Sequence, residues 1–431
     1  MIELKARFPL TGGARRRLDL FAYLPAQLQI NQRSLPRERF LSGVISHARY
    51  QVRREGLDIL ISDDPDNPLW RLEHAFETDP SYELRMVCNL FHSALKEELR
   101  EAVTGGGVVD EVVARGRHAL KRCERVLLRH ADIAQPAREY LWGTTARRVA
   151  RTILSHQNRP ATPVSPEERK HLEEWLRELE SAAERWGVVT LHADPDQVAR
   201  DAELKKWVQS ILYLPARESS RNQRIFQVAA ALAAGLAMTV AVIATVFAEA
   251  RWSGGSLPWA LALIGAYIVK DRVKEGTRAV LVRRIPGLVQ DRVTLLSEPD
   301  DGVRSPRRRV VARRVAVLRF PCAPKGWSCV QLQKRFTFRL RRMHRHRRVD
   351  AVVEILRVDV SDWLQRMDRA WKYWPRRTAE GDLELASVPR EYTIYVRATV
   401  DSRDDAWYRI TATRQEITDI TELTEAPFGA Q

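Results

Sequence analysis

IFQVAAALAAGLAMTVAVIATVFA, residues 225–248, runs for 24 positions without a charged side chain. At 1.5 Å per residue a helix of that length covers about 36 Å, enough to cross a hydrocarbon core of about 30 Å with some tilt. Core helices of soluble proteins seldom go so long without a charge. The run therefore reads as a first transmembrane helix.

A loop, EARWSGGS at 249–256, separates it from LPWALALIGAYIV at 257–269. Ser256 suits an N-cap and Pro258 a first helical turn. Thirteen apolar residues cover only about 20 Å. The second helix is thus expected to thin the bilayer, or to continue as a charged extension through residue 278 with Lys270 and Arg272 snorkelling outward. On that extension Lys270, Asp271, Lys274, Glu275 and Arg278 fall on one side, and Val269, Val273 and Gly276 on the other. Pairs three apart, Asp271 with Lys274 and Glu275 with Arg278, add a few tenths of a kcal/mol each. Together with Arg272 these residues form a candidate membrane-interface helix.

Arg217, Arg221 and Arg224 precede the first run and Lys270, Arg272, Lys274 and Arg278 follow the second, while the loop carries only Glu249 and Arg251. The positive-inside rule then puts both termini in the cytoplasm of a bacterial inner membrane. The bilayer is the first expected partner. Small residues recur four apart, as in Ala231 and Gly235, Ala233, Ala237 and Ala241, and Ala262 and Ala266. Such rows favour a hairpin or a homo-oligomer through the transmembrane helices.

Around this centre the hydropathy pattern gives a membrane protein with α+β soluble parts. Residues 1–215 read as a mostly α domain with an N-terminal β-hairpin, in which Ile2, Leu4, Ala6 and Phe8 alternate, Thr11-Gly12-Gly13 turns, and Leu18, Leu20, Ala22 and Leu24 alternate back. The start has no apolar signal region, so no cleaved leader is expected. Helices are expected over part of SYELRMVCNLFHSALKEELR and at 108–131, 137–157, 166–187 and 196–213, the 166–187 helix opened by a capping box in SPEE. Residues 300–431 read as a β-rich α+β domain. Val330, Leu332, Phe336, Phe338 and Leu340 share one strand face. Tyr392 to Val400 and Tyr408 to Ala412 alternate around DSRDD, and SDWLQRMDRAWKYW suggests one amphipathic helix. The architecture is then a helical N-terminal domain, a central two-helix transmembrane hairpin at 225–248 and 257–278, and the β-rich domain.

The formal charge of +16 is concentrated in one place. From Gly302 to Val349 there is no acid and sixteen Arg and Lys, and the rest of the chain holds 55 basic and 55 acidic residues. Arg307, Arg308, Arg309, Arg335, Arg339, Arg341, Arg345, Arg347 and Arg348 are the candidate contacts. Tethered near a cytoplasmic leaflet, they suit anionic lipid headgroups, at about 1 kcal/mol per residue. Nucleic acid is the alternative partner, although Phe336 and Phe338 fall on the opposite face from these arginines. A solvated face in an Arg-rich chain is the third reading.

No P-loop, G-x-G-x-x-G, G-x-S-x-G or H-E-x-x-H occurs. Cys88, Cys123, Cys322 and Cys329 match no common zinc spacing, and four in 431 residues do not form a disulfide framework. SDDPDNP at 62–68 lacks the glycine and terminal glutamate of a calcium loop. No cofactor, metal or catalytic residue is implied. An enzyme is not excluded, and the composition favours a membrane-anchored binding, sensing or scaffold protein with an unknown protein partner.

LFAYLPAQLQIN at 20–31 and YIVKDRVKEGTR at 267–278 resemble uncharacterised bacterial membrane proteins with a central two-helix hairpin and a KDRxKExxR-like segment after the second span. That resemblance implies the same layout and carries over no activity.

Overall fold

A computed structural model describes residues 1–11, 13–74, 79–104, 108–157, 165–191, 194–219, 221–252, 254, 256–284, 292–299, 309–343, 348–379 and 382–428. Strands from both ends of the chain interleave. β1 (Ile2–Pro9), β2 (Arg15–Pro25) and β3 (Val44–Val52) come first, followed far along the chain by β4 (Tyr213–Leu214), β5 (Ala216–Glu218) and β6 (Arg292–Ser297). Then come β7 (Val310–Arg319), β8 (Trp327–Phe338), β9 (Val349–Val358), β10 (Trp371–Arg377), β11 (Leu383–Pro389), β12 (Tyr392–Val400), β13 (Asp404–Ala412) and β14 (Ile417–Leu423).

These strands build a four-stranded sheet in the order β1-β9-β3-β4, an eight-stranded sheet in the order β14-β13-β12-β2-β8-β7-β6-β5, and a separate ribbon, β10-β11. All the pairings are antiparallel. The expected N-terminal hairpin is therefore corrected. β1 pairs with β9, Ala6 opposite Glu354, and β2 lies between β8 and β12, Ala22 opposite Val330 and Val396. Alternation identified both strands but carries no information about partners, and the turn after Pro9 takes the chain from one sheet to the other. The helical and β-rich parts thus share their sheets.

The two larger sheets face each other through Phe8, whose ring centroid lies 4.8 Å from that of Phe336 and 6.1 Å from that of Phe338. Between them sits a buried polar cluster. Lys334 Nζ donates to Glu354 Oε1 at 2.8 Å and to Ser46 Oγ at 2.5 Å, and Arg314 Nη1 donates to Ser46 Oγ at 2.6 Å and to Glu354 Oε1 at 3.0 Å. The Ser46 hydroxyl in turn donates to Glu354. Room for these groups comes from Ala6 and Ala48, the cross-strand neighbours of Glu354. Burial brings Lys334 down to about 8, against the opposing pull of Glu354.

Short helices α1 (Arg37–Ser42), α2 (Asp58–Ile61) and α3 (Pro68–His74) lead into a bundle of α4 (Pro80–Val103), α5 (Val109–Arg129), α6 (Ala131–Gln157), α7 (Pro166–Arg185) and α8 (Pro195–Gln209). α7 starts with the capping box read from SPEE: Glu168 N donates to Ser165 Oγ, and Ser165 N to the Glu168 carboxylate. Val87, Leu90, Phe91, Ala94, Leu95 and Leu99, the stripe on α4, are all buried.

Between the paired strands β5 and β6 the chain runs out along α9 (Arg221–Arg251) and back along α10 (Leu257–Arg284), which pack against each other. Ala233, Ala237 and Ala248 of α9 are buried, while Leu232, Leu236, Val242, Ile243 and Phe247 are more than half exposed. The expected fold class is corrected here. Among the described residues only one helix, over Ala230–Arg251 with a mean hydropathy of 2.2, is long and apolar enough to cross a membrane. The structure therefore holds no central hairpin of two transmembrane helices. Charges from Lys270 onward occupy the second half of α10 and leave its apolar part too short.

Two turns, α11 (Leu340–Met343) and α12 (Ser361–Leu364), complete the chain. The amphipathic helix expected over SDWLQRMDRAWKYW ends after α12. Trp371 and Trp374 lie instead on β10, where the helical spacing of the aromatics is incidental to a period of two.

Candidate anion-binding site

On its outer face the eight-stranded sheet gathers arginines from three distant segments. Arg17 on β2 lies directly opposite Arg335 on β8, and Thr337 on β8 is flanked by Arg15 on β2 and Arg313 on β7. Directly opposed side chains on an antiparallel pair have Cβ atoms about 5 Å apart, and like charges so placed cost roughly 0.2–1 kcal/mol. With Arg7, Arg16 and Arg403 they line an open basin of about 1080 Å³.

One acid lines it, Asp401, and that acid is engaged. Arg16 Nη1 donates to Asp401 Oδ2 at 2.6 Å, and the Arg17 backbone N–H donates to Asp401 Oδ1 at 2.8 Å. These bonds fasten the β12–β13 turn, in which Asp401 and Ser402 take left-handed φ values of 52° and 59°. Arg403 is held at the basin by that turn. Arg17 reaches the buried Asp19, which also accepts from Gln331 at 3.0 Å and Gln333 at 2.9 Å. Arg7 pairs with Asp350 at 2.6 Å. Among the described residues Arg15, Arg335 and Arg403 have no carboxylate partner. They leave the basin with uncompensated positive charge and forked donors that suit phosphate.

Farther along the same face the chemistry turns aromatic. Tyr23 stacks on Trp407 with centroids 5.6 Å apart, and Phe428 lies against Tyr23, Trp327, Tyr395 and Trp407 at 5.0–6.1 Å. Arg397 spans the Phe21 and Trp407 rings. Phe336 and Phe338 point into the core, as the alternation implied.

The candidate arginines divide. Arg335 is in the basin, and Arg309, Arg339 and Arg341 are exposed beside β7 and β8. Arg348 is corrected: it is buried, donates to Glu55 Oε2 at 3.0 Å and to the Asp66 carbonyl, and ties loops together. Arg307, Arg308, Arg345 and Arg347 lie outside the described residues. Arg15, Arg17, Arg313 and Arg403 were missed as site residues, since only long-range pairing brings RRR of β2 beside β8.

Lys270, Asp271, Arg272, Lys274 and Glu275 lie on one continuous α10, as does the backbone of Arg278. Arg272 pairs with Glu275 at 3.7 Å, and Lys270 lies over the Tyr267 ring at 3.6 Å; the expected pair of Glu275 with the Arg278 side chain lies outside the described residues. Of the valine stripe Val273 is partly buried, while Val269 and, beyond it, Val280 are about half exposed.

A second cavity, of about 1270 Å³, lies between the four-stranded sheet, α4 and α8. Several of its charges are matched: Glu3 with Arg357 at 2.7 Å and with Lys5 at 3.1 Å, and Glu97 with Arg54 at 3.7 Å. Burial, helped by Arg148, Lys96 and Lys205, lowers its His92 to about 4. Among the described residues no group of three or more metal-ligating side chains comes together. No family model, no curated protein and no solved structure matches this chain.

Proposed function

We propose that this is a membrane-anchored binding protein that captures a phosphate-bearing polyanion in its arginine basin. The observation that carries the reading is the unpaired set of Arg15, Arg335 and Arg403 beside the opposed Arg17 and Arg335, an arrangement that costs stability until an anion enters. Anchorage rests on the exposed apolar length of α9. Because β5 and β6 are paired, the chain leaves and re-enters the sheets on one side, and the basic flanks favour the cytoplasmic side of a bacterial inner membrane.

By register Arg292, the first residue of β6, is level with Ala316 and Lys334, so the foot of the arm lies two strands across the sheet from the basin. A second reading, single-stranded nucleic acid, is favoured by Tyr23, Trp327 and Trp407 sharing the arginine face, where bases could stack.

The test is titration of the detergent-solubilised full chain with inorganic polyphosphate, an oligonucleotide and anionic vesicles. Polyphosphate is expected to bind with steep salt dependence, and Arg15→Ala with Arg335→Ala to weaken it at least about tenfold, as two charge-assisted contacts would. The same Arg335→Ala change should raise stability by up to about 1 kcal/mol by relieving the opposed pair. Binding of polyphosphate that is unchanged in the double variant would falsify the assignment.

A further inference from the structure

β10 and β11 form a ribbon whose residues are almost all exposed. β10 and β11 pair only with each other, from Trp371 opposite Pro389 to Arg377 opposite Leu383. Alternation sorts the ribbon into two unlike faces. Trp371, Tyr373, Pro375, Leu383, Leu385 and Pro389 share one with Ser387 and, at its end, Arg377, while Lys372, Trp374, Ala386, Val388 and the Arg376–Glu384 ion pair occupy the other. On the apolar face Tyr373, Leu383 and Leu385 are 70%, 72% and 70% exposed. On the polar face the Lys372 ammonium sits 4.3 Å from the Trp374 ring centroid.

We infer that this amphipathic ribbon lies flat in the headgroup region of the bilayer as a second membrane contact; the inference rests on the membrane anchorage proposed above. Three observations choose lipid as the occupant. Tryptophan and tyrosine with flanking Lys and Arg are the side chains that settle at a membrane interface, each ring wet at one end and apolar at the other. The ribbon is attached at the start of β12, the end of the sheet toward which the chain heads as it leaves β5 for α9. Area argues against a second copy of the chain. Two strands of seven residues cover roughly 23 Å by about 10 Å, or about 230 Å², against roughly 800 Å² per partner in a stable interface. A contact so small suits an element that supplements an existing anchor. The unpaired outer edges of β10 and β11 limit its depth, because backbone groups there need water or headgroups and not hydrocarbon.

The experiment uses the full chain reconstituted into phosphatidylcholine–phosphatidylglycerol vesicles. Cys322, the exposed cysteine, is replaced by serine, and Cys88, Cys123 and Cys329 remain buried. An environment-sensitive fluorophore is attached in turn at Tyr373→Cys, Lys372→Cys and, as the arm control, Phe247→Cys. Lipids brominated near the headgroups are expected to quench the label at 373 several-fold more than the label at 372. Quenching at 247 with none at 373 overturns the ribbon contact and leaves the anchorage standing. No quenching at either position overturns both. Equal quenching at 372 and 373 overturns the flat orientation, and disulfide-linked dimers through the unlabelled 373 cysteine would assign the face to a second copy.

Discussion

Replacing Glu354 with glutamine removes the carboxylate of the cluster between the sheets and leaves Lys334 and Arg314 facing each other in a buried core. Breaking a buried pair from one side costs about 3–5 kcal/mol, because the remaining charge stays desolvated. Part of that loss has a pH signature. Lys334 titrates at about 8 in the folded protein and at its ordinary value near 10.5 once unfolded. The gap is a penalty of roughly 3 kcal/mol that is complete below pH 8 and is relieved as pH rises toward 10.5, where only the unfolded lysine still binds a proton. Without Glu354 the folded value drops further, so relief begins at lower pH. The deficit of the variant against the native protein should therefore narrow up to about pH 8 and stay level above it, the rest of the loss being the buried Arg314 charge left without its carboxylate. Urea unfolding of the solubilised full chain, followed by near-ultraviolet circular dichroism at about pH 6.5 and about pH 9, measures both terms. Adding Lys334→Met to the variant should recover part of the loss at the lower pH. A deficit below about 1 kcal/mol, or one equal at the two pH values, would refute the reasoning.

Other sites respond by different physics. A methyl group at Gly116 would stand 2.7 Å from the Trp175 ring where α5 meets α7, so Gly116→Ala should cost about 1–3 kcal/mol in denaturant midpoint despite its better helix propensity. His92, lowered to about 4 by burial, must stay neutral in the fold, so stability should fall as pH drops from about 6.5 to 4, by up to about 3 kcal/mol. His92→Phe should flatten that limb of the pH profile. Ser402 holds a left-handed φ of 59°, and Ser402→Gly should stabilise the protein by about 1 kcal/mol in a thermal melt.

Local periodicity carried most of what could be read from the sequence, and its reach ended where pairing becomes long-range. α4, α5, α7 and α8 follow apolar stripes and caps, so each could be placed from its own residues. β1 and β2 were visible as strands, yet their partners lie at the other end of the chain, and nothing in a local pattern distinguishes a hairpin from two strands lent to different sheets. The same blindness hid the basin: Arg335 could be singled out by its acid-free neighbourhood, whereas Arg15 and Arg17 gain their meaning from lying beside it. Lys334 stood in plain view between Leu332 and Phe336 on a core-facing register, a buried charge that calls for a partner, but Glu354 could not be named from sequence. Trp371 and Trp374 of WKYW stand at helical spacing while Trp371 and Tyr373 stand at extended spacing, so the local pattern does not decide between helix and strand.

The lending of β1 and β2 to strands from the other end of the chain sets an order of events in biosynthesis. Ala6 waits for Glu354 and Ala22 for Val396, so neither sheet can close until nearly the whole chain has left the ribosome. By then α9, which needs no distant partner to be apolar, has long been made. On the anchorage proposed above, α9 engages the bilayer first and the body assembles afterwards beside it, slowly, as high contact order demands. A folding chaperone stationed at that surface would meet this protein with its two earliest strands still unpaired.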